Sequence, residues 1–314
     1  MSERRYLLRR VAFAVLSVYL VLSAMFLVIA FTPDKNFKAE RAVWAWGQQD
    51  APTDEEFAAF RDAYMEARDR SGDPLLVRWG DWLWDVTTFE WGYSPTKRGY
   101  VAPIIAGAVS RTAMYVVPGF LLAVLGGTAF GIYSAWNRGD RNERLGRGVI
   151  YLVFGLPSFF VAAVGLALLA GDPPRAELLR AHVLPAVVLA LSMLAGLVSY
   201  TRAHSMEYVN ATFITALHAK GLRERAIWWR ILRTVAVPIT SLLFTELLAV
   251  LLLNVYVLEF VFGIEGFGRL TYWAVQNYDI SLILGTTYVV VAVGVGGSFL
   301  QDVISAVLDP RIEL

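Results

Sequence analysis

Apolar residues in this chain are gathered into long runs. Val11–Phe31 is 21 residues without a charge, and further uncharged runs cover Thr112–Asn137, Gly148–Gly171, Val183–Thr201 and Ile280–Gln301. A sixth, Thr234–Leu258, is interrupted once, by Glu246. At about 1.5 Å per residue, a run of about 20 crosses a hydrocarbon core of about 30 Å. Hydrocarbon cannot satisfy backbone amides, so runs of this length must be helical. The pattern predicts six membrane-spanning helices. Arg4, Arg5, Arg9 and Arg10 precede the first run as they would in a signal peptide. Its apolar part exceeds the usual h-region of about 7–15 residues, and Phe31-Thr32-Pro33 offers no small-x-small cleavage site, so it reads as an uncleaved helix.

Charge sets the orientation. Arginines cluster before the first run, over Asn137–Arg147 (Arg138, Arg141, Arg144, Arg147) and over Arg202–Arg233. The Asp172–His182 loop has only Arg175 and Arg180, and the loop after Thr234–Leu258 only Arg269. Six spans with the basic loops on one side place both termini in the cytoplasm. Residues 1–10 are then a cytoplasmic N-terminus, 11–31 the first span, 32–111 an extracytoplasmic segment, and 112–314 a five-helix core with a cytoplasmic loop at about 202–236. Long segments such as 32–111, with ten basic and thirteen acidic residues, are largely exempt from the charge rule.

That segment is not disordered in composition. It holds six of the ten tryptophans: Trp44, Trp46, Trp79, Trp82, Trp84 and Trp91. Anchoring at the lipid headgroup level explains them better than a ligand-binding aromatic patch. Thr53 and Glu56 form a capping-box pattern opening a helix with Phe57, Phe60 and Tyr64 on one face and Gly72 beyond its end. Asp54, Glu55 and Glu56 complement its dipole.

Composition narrows the chemistry. The chain has 314 residues, 57% hydrophobic and 18% charged, with a net charge of +1, no cysteine and three histidines. Thiolate chemistry and disulfides are excluded, a metal site is poorly supplied, and no global basic field exists for nucleic acid. There is no G-x-x-x-x-G-K-[ST], H-E-x-x-H or G-x-S-x-G pattern. Gly296-Gly297-Ser298 fits close helix packing better than a nucleophile. Glu246 and Asn254 are polar groups inside a span, eight residues apart and about 80° apart around a helix. They face either the bundle interior and a translocation path, or satisfied structural partners.

The most informative stretch is Arg202–Pro238. Helix-compatible residues run to Lys220, Gly221 follows, and a second basic helical run begins. This is a helix–glycine–helix elbow, for which the bland alternative is an amphipathic helix on anionic lipid. Ala219-Lys220-Gly221-Leu222 and Pro238, with Arg202 and Glu207 upstream, resemble the cytoplasmic loop of the inner-membrane permeases of binding-protein-dependent ABC importers, dipeptide/oligopeptide (and nickel) family. Thr212, Leu217 and His218 depart from the family's acidic, alanine and arginine residues. Trp91-Gly92-Tyr93-Ser94, Thr112, Glu259-Phe260-Val261-Phe262, Gly266-Phe267-Gly268-Arg269-Leu270, Tyr278-Asp279 and Asp309-Pro310-Arg311-Ile312 also resemble family segments, in order, outside most of Thr32–Gly80.

The resemblance implies an all-α membrane protein with the type I ABC importer permease (MetI-like) fold, enlarged by an extracytoplasmic insertion after the first helix. It implies a multi-pass subunit of the cell membrane that pairs with a homologous permease, two ABC ATPase subunits and an extracytoplasmic solute-binding protein. Glu207, Ala216, Ala219, Lys220, Gly221 and Leu222 would then form the ATPase-coupling loop. ATP would be bound and hydrolysed by the partner, with no cofactor in this chain. Peptides are the family's commonest cargo; nickel and oligosaccharides are alternatives. Readings of another class are an intramembrane enzyme, for which Glu246, Asn254 and Glu259 are the polar groups on offer, and a channel subunit.

Overall fold

The computed structural model describes residues 3–31, 41, 44–45, 48, 52–66, 74–94, 96–169, 178–209, 212–245 and 247–308. Trp46, Gly72, Glu246 and the Asp309–Ile312 segment lie outside them. Three helices precede the only strands among the described residues: α1 (Glu3–Phe31), α2 (Asp54–Glu66) and α3 (Leu75–Thr88). The strands β1 (Tyr93–Ser94) and β2 (Gly99–Tyr100) pair antiparallel, Tyr93 opposite Tyr100. Then follow α4 (Val101–Trp136), α5 (Arg141–Phe154), α6 (Ser158–Leu168), a π-turn at Leu179–Val183, α7 (Leu184–Val209), α8 (Thr212–Ala219), α9 (Glu224–Thr245), α10 (Leu247–Phe262), α11 (Phe267–Gln276) and α12 (Ile280–Leu308).

Four helical stretches are long and apolar enough to cross a membrane: Arg9–Val28, Val101–Trp136, Leu179–Val209 and Ile280–Ile304. The run Gly148–Gly171, expected as one helix, is two. The α5 and α6 axes differ by 97°, and counting this bent pair as one span gives five among the described residues. Pro157 is the reason. It has no N–H to donate and its ring disfavours helical geometry at the residue before it; α5 ends at Phe154, and α6 restarts with Pro157 as its N-cap. Helix α4 begins at Val101, well before Thr112, and carries Arg111 on its surface with Nε donating to the Glu265 carbonyl at 2.6 Å.

The chain divides into two compact units. The first comprises Met1–Ala14, Ala106–Leu270 and Val293–Leu314. Its centre is the parallel pair α4 and α7. Gly119, Ala123, Gly127, Gly131 and Ala135 recur every fourth residue along α4, and all are buried. A Cβ built on Gly119 would meet the Ala186 carbonyl oxygen at 2.7 Å; on Gly127, Leu197 Cβ at 2.6 Å; on Gly131, Thr201 Cβ at 2.6 Å. Apolar burial does not drive helices together inside lipid, so close backbone approach through small residues does that work. Tyr115, Leu189, Met193, Leu197 and Leu258 fill the surrounding core.

The second unit comprises Val15–Ile105 and Thr271–Ala292. The capping box forms as read. Thr53 N donates to Glu56 Oε2 at 2.7 Å, and Glu56 N to Thr53 Oγ1 at 3.4 Å. Trp44 stacks on Phe60 with centroids 4.7 Å apart. Buried Asp279 opens α12: its Oδ1 accepts from Leu282 N, and its Oδ2 from Ser94 Oγ and Thr96 Oγ1, both at 2.6 Å. The β-hairpin is thereby tied to the start of a spanning helix.

Candidate functional site

Helix α8 stops because Gly221 turns left-handed at φ +73°. Leu222 N donates to the Leu217 carbonyl at 3.2 Å and Gly221 N to the His218 carbonyl at 2.9 Å, the two bonds of a Schellman motif. Glycine adopts this φ without the Cβ penalty other residues meet. The motif's apolar contact is present as well: Leu217 is buried and Leu222 half-buried in one cluster. That cluster contains Ile132 and Trp136 of α4, Tyr208 and Val209 of α7, and Ile227 and Ile231 of α9. The chain restarts with Glu224 in the first turn of α9, where an acidic group is favoured, and Glu224 Oε1 lies 3.3 Å from His218 Nε2.

One face of the elbow is therefore nailed to the bundle and the other is free of it. Ala216, Ala219, Lys220 and Gly221 are exposed, as is Glu207 near the end of α7. A Cβ at Gly221 would touch nothing. The outer surface is built of small residues with Lys220 and His218 at its edge. Its polar groups are Lys220 and the exposed His218–Glu224 pair, and its small side chains leave room for close approach by another surface.

Beside the elbow, the ends of α4, α5 and α7 meet around a buried carboxylate. Glu143 is 1% exposed. Its Oε1 accepts from Ser134 Oγ at 2.6 Å and pairs with Arg147 Nε at 3.0 Å and Arg202 Nε at 3.7 Å. Glu143 Oε2, Arg202 Nε, Thr201 Oγ1 and Ser205 Oγ are buried without hydrogen-bond partners among the described residues. Ser134 follows Gly131 on α4 and Ser205 follows Thr201 on α7, so the close helix crossing leads straight into this node.

Asn254 of α10 is half-buried and lines a cleft of about 250 Å³ with Ser158, Ser192, Pro157 and Leu191, at the break between α5 and α6. Glu259, one helical turn and a residue further on, is fully buried. Its Oε1 accepts from Thr112 Oγ1 at 2.6 Å and Tyr115 OH at 3.1 Å, and its Oε2 from Arg269 N at 2.9 Å. A carboxylate bonded on both oxygens at the start of α11 is a helix cap and a brace. Its oxygens are committed to these donors, which disfavours the intramembrane-enzyme reading.

Residues 127–314 match the family model described as binding-protein-dependent transport system inner membrane component. The chain belongs to that family. The matched region of this permease carries the elbow, the Glu143 node, Asn254 and Glu259. Along nearly its whole length the permease is similar to the oligopeptide transport system permease protein OppB of Salmonella typhimurium, with 27% identity covering 98% of this chain and 99% of the relative. The metal-staphylopine import system permease protein CntB of Staphylococcus aureus is 24% identical over 76% of this chain and 78% of its own. A putative peptide permease of Brucella ovis is 28% identical over 77% and 81%. It follows that the protein is an ABC importer permease, a multi-pass membrane transport subunit.

Of the residues expected from sequence, Ala216, Ala219, Lys220 and Gly221 lie on the exposed side of the elbow, Leu222 is half-buried beneath it, Glu207 is exposed near the end of α7, and Asn254 lines the cleft. Glu143, Ser134, Thr201 and Ser205 were missed from sequence. The available signal was an acidic residue set between Arg141 and Arg144 in a loop read only for its positive charge.

Proposed function

We propose that this permease imports short peptides, paired with a homologous permease chain and served by two ATPase subunits and an extracytoplasmic solute-binding protein. The chain crosses the membrane six times with both termini in the cytoplasm, and its segment 32–111 is an insertion on the other side. ATP is bound and hydrolysed by the partner ATPases, so this chain holds no cofactor. Glu207, Ala216, Ala219, Lys220, Gly221 and Leu222 form the contact with one ATPase subunit, while Glu246 and Asn254 line the path.

The elbow carries this reading. Its Schellman turn locks α8 to the ends of α4 and α7 and leaves a small-residue face exposed, so a push on that face is delivered to two long apolar helices. The substrate class is supported by the names of the oligopeptide and peptide permeases it resembles. The test is uptake of a defined tripeptide into proteoliposomes holding the assembled transporter, with cognate binding protein and ATP. Accumulation that needs both is the expected result. Uptake of a metal chelate or an oligosaccharide in place of peptide overturns the substrate assignment, and uptake without ATP overturns the coupling.

A further inference from the structure

Segment 32–111 is expected to lie outside the bilayer, but within it the contacts of α3 place that one helix against the interior of α1. Phe26 and Trp82 rings lie 5.3 Å apart, Trp79 Nε1 donates to Ser23 Oγ at 3.0 Å, and the Tyr19 and Thr87 hydroxyls are 2.7 Å apart. Phe26, Ser23 and Tyr19 lie five, eight and twelve residues inside the Phe31 end of the first uncharged run. That is about 8, 12 and 18 Å along the helix, against about 15 Å for half a hydrocarbon core. A second spanning helix gives a similar depth. Trp91 packs on Tyr288 at 5.1 Å, eight residues or about 12 Å into α12. Ser94 then bonds Asp279 at the mouth of α12. The chain descends along α3 and climbs back over Phe89–Ser94.

The outward face of α3 suits that depth. Leu76 and Trp84 are 77% and 69% exposed, with Val77 and Gly80 beside them, while Arg78, Asp81 and Asp85 lie together on one flank. The hydroxyls on this side are satisfied internally, Thr87 Oγ1 by the Leu83 carbonyl and Thr88 Oγ1 by the Trp84 carbonyl. The helix end is closed by Glu90 N to the Asp85 carbonyl at 2.8 Å, and Trp91 Nε1 reaches the Val86 carbonyl. Lipid demands this internal closure.

We propose that α3 is a re-entrant helix, sunk into the leaflet on the Phe31 side, whose Leu76–Trp84 face contacts lipid acyl chains. The chain has no native cysteine, so single cysteines report cleanly. Trp84→Cys, Leu76→Cys and, as a control on exposed α2, Glu55→Cys are made in the assembled transporter. It is placed in phosphatidylethanolamine/phosphatidylglycerol vesicles. A charged maleimide should label positions 84 and 76 roughly tenfold or more slower than 55, since apolar surroundings raise a thiol's pKa and each unit is tenfold in thiolate. A fluorophore at 84 or 76 should be quenched more by nitroxide in mid-acyl chain than at the headgroup. Labelling as fast as at 55 overturns the proposal. Stronger headgroup quenching makes α3 an interfacial anchor instead, and protection without lipid quenching means a protein covers it; either result also overturns it. Position 76 serves if the Trp84 variant does not assemble.

Discussion

Gly119 of α4 and Ala186 of α7 approach so closely that a Cβ on the glycine would stand 2.7 Å from the alanine's carbonyl oxygen. Backbone cannot yield there as a flexible side chain can. Gly119→Ala should destabilise the permease by about 1–3 kcal/mol through overpacking. Gly148→Ala, where a Cβ meets nothing, should be neutral or slightly stabilising. Thermal unfolding of the two purified variants, compared with the parent, checks the contrast.

Gly221 tests coupling separately from packing. Nothing lies near its missing Cβ, so a substitution there meets only the backbone cost of φ +73°, about 1–2 kcal/mol for an ordinary residue. Gly221→Val should insert and assemble yet lose most binding-protein-stimulated ATP hydrolysis. Gly221→Asn, which tolerates the left-handed region, should retain more. Equal stimulation in all three would remove the elbow from the coupling route.

Glu143 holds three helix ends through one carboxylate. Glu143→Ala strands Arg147 and Arg202 and should cost about 1–3 kcal/mol. Arg202→Met in the same chain should recover part of that loss, because the stranded charge goes with it. A double-mutant cycle on unfolding temperature reads the coupling. Strict additivity would show that the pair at 3.7 Å contributes nothing.

Thr53 donates to Glu56 from its backbone N–H and its hydroxyl, and these bonds hold the Glu56 carboxyl below its ordinary range. A lowered folded value means the contribution to α2 is complete above the unfolded value, about 4.3, and disappears as pH falls through the folded one. Hydrogen exchange of the α2 amides, corrected for intrinsic rates, should therefore accelerate on acidification in the parent. In Glu56→Gln it should show no such pH step.

Orientation can be read with the same cysteine-free background. With both termini inside, Ser71→Cys should react with an impermeant thiol reagent on intact cells and Ser2→Cys only after lysis. The reverse pattern would invert the topology.

Much of the architecture was legible because lipid imposes a single rule on the backbone. Val11–Phe31 or Ile280–Gln301 can satisfy its amides in hydrocarbon only as a helix, so composition alone names the element. The break at Pro157 was equally visible as a residue, yet a run of apolar side chains says nothing of direction, and the 97° between α5 and α6 is set by the tertiary structure. Gly221 was legible because a glycine ending a helix has a local reason to be there, and the Schellman bonds lie within six residues of sequence.

What lay beyond the sequence are the relationships whose partners are far apart along it. The small residues every fourth position of α4 acquire meaning only against Ala186, Leu197 and Thr201 of α7. Glu143 looks like one more charge in a basic loop until Ser134 and Arg202 close around it. The depth of α3 is decided by Tyr19, Ser23 and Phe26, some 56 to 68 residues away in the hydrogen-bonded pairs. The sequence by itself determined which segments must be helical, because backbone hydrogen bonding and solvent are local constraints. Tertiary structure alone decided which polar groups are buried together and how deep the α3 helix sits, because desolvation and close approach depend on neighbours the chain supplies from elsewhere.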